Sequence, residues 1–104
     1  MIHWAKVEVK GRMLSFTTAK DFKYDDIFVD RCDKIDNDPA DFYVMLNRNS
    51  THIVVISYES REHWTGPHRI FDRKKRYPVT LYSAPIEFVQ FIELPVVEEM
   101  EEAA

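Results

Sequence analysis

Apolar and charged residues alternate over residues 2–10, with Val7 and Val9 set against Lys6, Glu8 and Lys10. A period of two marks a half-buried strand. Lys10-Gly11-Arg12 reads as a tight turn, because glycine reaches positive φ without steric cost. Residues 13–17, with Leu14 and Phe16 on one face, read as the return strand. The pattern predicts an N-terminal β-hairpin.

The period then lengthens. Thr18-Ala19-Lys20-Asp21 has capping-box spacing, with the Thr hydroxyl and the Asp carboxylate each placed to take a backbone N–H of the other. Beyond it Tyr24, Ile27, Phe28, Cys32 and Ile35 fall on one helical stripe, with Val29 as the misfit. This spacing predicts a helix over 20–35, closed by Asp36-Asn37-Asp38-Pro39. Asp is a mediocre helix former and weakens that reading.

A second hairpin is predicted from 41–47 and 52–58 across Arg48-Asn49-Ser50-Thr51. Ile53-Val54-Val55-Ile56 is apolar on both faces, as in a central strand. Residues 59–68 read as irregular, 69–71 as a short strand, 72–76 as a cationic turn and 79–83 as a strand. In 85–94 the polar Glu87, Gln90 and Glu93 recur every third residue, which predicts a helix behind Pro85 despite a sheet-favouring composition.

The order implies an α+β fold: a small single domain with a mainly antiparallel sheet of four to six strands and one or two helices packed on one face. Residues 1–95 form the expected domain, and 96–104 an acidic, frayed tail. A chain of 104 residues, 45% hydrophobic, has enough material for one core. One cysteine, Cys32, excludes an internal disulfide. No signal-peptide pattern and no membrane-length apolar run is seen, so the expected location is the cytoplasm, with no membrane partner.

Charge alters this picture more than composition does. The net −4 hides a segregation: 20–44 carry eight Asp against four Lys/Arg, 58–78 carry six Lys/Arg against three acids, and 79–104 carry six Glu and no base. An acidic total argues against a general nucleic-acid coater, whose affinity comes from neutralising phosphates. A local basic patch remains competent.

Two constellations follow. The basic–aromatic one is Arg61, His63, Trp64, His68, Arg69, Arg73, Lys74, Lys75, Arg76 and Tyr77, with Phe71 among them. Its cations suit phosphate or carboxylate and its rings suit stacking. The bland alternative is a solvated turn with Trp64 and Phe71 in the core. The acidic one is Asp26, Asp30, Asp33, Asp36 and Asp38. On a helix, Asp26, Asp30 and Asp33 would form a carboxylate row able to mimic nucleic acid. Its bland alternative is a solvated face with local ion pairs.

Catalytic signatures are sparse. The histidines are His3, His52, His63 and His68, with no zinc-binding spacing, so no metal and no cofactor are expected. His63 or His68 beside Arg69 could act as base in a small phosphodiesterase. Cys32, flanked by Asp30 and Asp33, suits a buried structural thiol. With only Gly11 and Gly66, no phosphate-binding glycine loop exists. The leading expectation is a non-catalytic binding module presenting segregated acidic and basic surfaces to a protein partner, such as an inhibitor or accessory protein of phage or mobile-element type. The alternative is a nucleic-acid-binding domain using 61–77.

Overall fold

A computed structural model describes residues 4–11 and 14–95. It is α+β, with seven strands in two sheets. Strand β1 is Val7–Gly11, β2 Asp26–Arg31, β3 Phe42–Leu46, β4 His52–Ser57, β5 Thr65–Asp72, β6 Tyr77–Pro85 and β7 Gln90–Glu93. The helix α1, Cys32–Asn37, follows β2 directly, and 3-10 turns cover Tyr58–His63 and Ile86–Phe88. One sheet has the order β1-β3-β4-β7 and is antiparallel except for the parallel β1–β3 pair; the other is β2-β6-β5 and antiparallel throughout.

Strict alternation in the first sheet sends Tyr43, Met45, Val54 and Ile56 to one side, where all are buried. They meet Ile27 and Val29 of β2, Ala84 of β6 and Ile35 of α1 in a single core, with Phe16 and Phe22 brought in from the segment before β2. Phe16 stands edge-on to both Phe22 and Phe91, and Trp64 stands edge-on to Tyr43 and Tyr58. The second hairpin is as the alternation requires, with Phe42 opposite Ser57 and Leu46 opposite Ile53. Buried Asn47 closes its turn. Its amide donates to the Phe16 carbonyl and to Thr51 Oγ1, each at 2.9 Å, and its carbonyl accepts from the Thr51 and His52 backbone.

Other expectations fail for physical reasons. The N-terminal hairpin does not form: β1 pairs with β3, in parallel, and 14–17 are not a strand. Alternation identifies a strand but not its neighbour. Phe16 gains more by entering the core than by lying on a two-stranded ribbon. The helix over 20–35 is replaced by β2 and the six-residue α1. Ile27 and Val29 are buried while Phe28 faces outward, which is a sheet period; Val29, the helical misfit, marks the true geometry. The helix over 85–94 is a 3-10 turn and β7, since the aromatic and β-branched residues there complete the edge of β4. The strands placed at 69–71 and 79–83 are longer, β5 and β6, and 58–63 is a 3-10 turn rather than irregular chain. Arg12, Met13 and the tail 96–104 lie outside the described residues.

The capping expectation holds in part. Asp21 accepts from the backbone N–H of Thr17 and, at 2.8 Å, of Thr18, and from the Thr17 hydroxyl. It closes a turn before β2 instead of starting a helix.

Candidate functional site: the basic β-ribbon

Strand β2 ends at Arg31, opposite Leu81. From Thr80 to the turn, β6 has β5 as its sole strand neighbour, so Arg69–Asp72 and Tyr77–Thr80 form a two-stranded ribbon. No residue over 69–80 is buried, and all but the half-buried Asp72 and Val79 are exposed. Register puts Arg69, Phe71, Pro78 and Thr80 on one ribbon face and Ile70, Tyr77 and Val79 on the other. Phe71 is 62% exposed and Tyr77 45%.

The turn itself is built by Asp72. Its carboxylate accepts from the backbone N–H of Lys74 at 2.9 Å and of Lys75 at 3.1 Å, and its carbonyl accepts from Arg76. Arg76 occupies the left-handed region at φ 61°. Asp72 is thus engaged with backbone, not with the ammonium and guanidinium groups around it. Arg69, Arg73, Lys74, Lys75 and Arg76 make no ion pair among the described residues.

Among the described residues, five cations elsewhere are paired, while Lys20, Lys23 and Arg48 are not. Lys6 pairs with Asp38 at 2.6 Å, Lys10 with Asp30 at 2.5 Å, Arg31 with Asp33 at 2.9 Å and Arg61 with Asp36 at 2.6 Å; Lys34 holds both Glu8 and Asp30. The acidic candidates are therefore dispersed. Asp26 opens β2, Asp33 and Asp36 lie on α1, Asp38 caps its end, and no carboxylate row exists because the helix that would align it is absent. Asp30 sits just past a β-bulge at Val29, 3% exposed. Burial pushes its pKa up, but the hydrogen bond from Lys10, the Arg31 N–H and the charges of Lys10 and Lys34 outweigh it and hold it below the usual value.

Four basic–aromatic candidates are engaged within the fold. Arg61 donates to Asp36, Tyr58 and Tyr82 and lies over both phenol rings, and its pKa is raised chiefly by the Asp36 hydrogen bond. His63 stacks on Phe88 with centroids 3.8 Å apart. Trp64 is half-buried, and its indole N–H donates to Ser60 Oγ at 2.8 Å. His68 joins a triangle that sequence reading missed: Thr65 Oγ1 and Ser83 Oγ lie 2.8 Å apart, and His68 Nε2 is 2.9 and 3.1 Å from them. The signal for it was the strand register, which brings Thr65 opposite Ser83.

Ser83 is 2% exposed, and this serine–histidine contact ties β5 to β6 at the wall of a groove that both residues line. The groove, of about 940 Å³, is also lined by Tyr24, Asp26, Phe28, Arg69 and Ile70 among others. The Cys32 thiol is buried, and burial raises its pKa. Among the described residues no group of three or more His, Cys, Asp or Glu could hold a metal, and no helix is long and apolar enough to cross a membrane. No family model, no curated protein and no solved structure matches the chain.

Proposed function

We propose that the chain is a non-catalytic binding module that grips a nucleic-acid backbone through the ribbon of β5 and β6. One observation carries this reading. Eight cations have no acid partner among the described residues; Lys20, Lys23 and Arg48 are scattered, whereas Arg69, Arg73, Lys74, Lys75 and Arg76 gather on one ribbon, and Lys6, Lys10, Arg31, Lys34 and Arg61 are all paired. Counter-charge is available in this acidic chain and is not placed against the ribbon. A two-stranded ribbon also has the width that the major groove of a duplex admits, and exposed Phe71 and Tyr77 offer ring faces for stacking.

The same ribbon would fit a carboxylate-rich protein surface, with Phe71 as the apolar anchor. The two readings part in a salt titration by fluorescence anisotropy. With about five phosphates of a duplex neutralised, log K should fall against log salt with a slope of roughly −4.5. Replacing Arg73, Lys74, Lys75 and Arg76 by Gln should flatten that slope to about −1. Absence of binding to any oligonucleotide at low salt rejects the nucleic-acid reading and leaves the acidic-protein one.

A further inference from the structure

The side of the β1-β3-β4-β7 sheet turned away from the core carries a surface of unusual uniformity. Register sets Val9, Val44 and Val55 in one cross-strand row, Leu46, Ile53 and Ile92 in the next, and Val7 beside Phe42 in a third. None of these eight belongs to the core or to the apolar shell packed against it. Val7, Val9, Phe42 and Ile92 are exposed, Val9 to 58%. The remaining positions of these rows are Gly11, Ser57 and Gln90, so among the described residues the face carries no charge. The opposite side of the same strands holds Glu8 and Lys10, which shows that β1 carries charge where the face does not.

We infer that this uncharged sheet face is a self-association surface, on which a second copy of the chain packs sheet against sheet about a two-fold axis. Area and charge select this occupant. Four strands about 4.8 Å apart and three side-chain rows deep offer on the order of 500 Å² of apolar accessible surface. Two such faces bury about 1,000 Å², where specific association begins, and stacked sheets meet at about 10 Å without further partners. A two-fold pair sets each patch against itself, which an uncharged patch tolerates without like-charge repulsion. The chain's own residues 96–104 hold four Glu and suit the face poorly, because it offers them no cation. An anionic lipid surface fails for the same lack of cations.

Sedimentation of the full chain tests this. The weight-average mass should double with a Kd in the micromolar range, as the modest area requires. Val55→Lys, at the centre of the face, and Val7→Lys, at its rim and already half exposed, should each raise that Kd at least about tenfold, since every added charge is met by its own copy. Circular dichroism and the melting transition of both variants report that the fold is kept. Val7→Lys serves as the test even if the central variant is destabilised. A chain monomeric up to about 1 mM overturns the inference, and so does a dimer whose Kd the folded Val7→Lys variant leaves unmoved.

Discussion

Asn47 uses every polar atom of its side chain. Its amide reaches the Phe16 carbonyl and Thr51 Oγ1, and its carbonyl receives two backbone N–H groups, all behind a side chain only 5% exposed. The Phe16 contact is the long-range one, since it fixes an irregular segment to the β3–β4 turn. Substituting Asp keeps the shape but sets an acceptor against the Phe16 carbonyl. Asn47→Asp should therefore cost about 2–3 kcal/mol in urea denaturation at neutral pH. Asp21 shows a surface version of the same economy. Its three donors hold its pKa down to about 2, against an ordinary 3.8, with the Thr17 hydroxyl as the leading cause. The folded carboxyl binds its proton more weakly than the unfolded one. Its contribution is thus complete above about pH 4 and disappears as the pH falls toward 2. Asp30 and Asp36 are shifted in the same direction. The melting temperature should fall on acidification below about pH 4, and Asp21→Asn should lose less between pH 4 and pH 2 than the parent chain.

Among the elements, the ribbon turn holds a conflict between conformation and charge. Arg76 sits at φ 61°, a region that costs a side-chain-bearing residue about 1 kcal/mol relative to glycine. Arg76→Gly should raise stability by roughly 1 kcal/mol in chemical denaturation while weakening oligonucleotide binding and lowering its salt slope by about 0.9. The cationic turn was legible from sequence because four adjacent cations leave few alternatives to solvent. So was the β3–β4 hairpin, where Ile53-Val54-Val55-Ile56 is too short and too β-branched for a buried helix. The Asp-rich stretch misled because helical and strand periods share several positions. Ile27 and Ile35 fit both, and only Val29, with Phe28 turned outward, separates them. The partner of β1 could not be read at all. Parallel pairing with a strand some 35 residues on depends on which edge of β3 is vacant, a property of the assembled sheet rather than of either segment. The alternative that put Phe71 in the core fails for a related reason: apolar character does not reveal that β2 stops short of it.

At the scale of the whole molecule, the charge segregation read from sequence resolves into two different things. The acids of 26–38 are largely consumed in holding the fold together. Lys10 of β1, Asp30 after the bulge of β2, Lys34 of α1 and Glu8 of β1 form a chain of ion pairs that joins the two sheets. The bases of 69–76 are not consumed, and they project on a part of the structure that has no third strand. The molecule accordingly offers a cationic ribbon and an uncharged sheet face on separate elements, so that a ligand on one leaves the other free.

The parallel seating of β1 has one more consequence. Val7–Gly11 shields the outer hydrogen-bonding edge of Phe42–Leu46, the strand that supplies Tyr43 and Met45 to the core. A polypeptide lacking its first eleven residues would bare that edge along an apolar strand, inviting end-to-end stacking into filaments. The N-terminal strand replaces that edge with one that carries Glu8 and Lys10, charges that oppose the addition of a further strand.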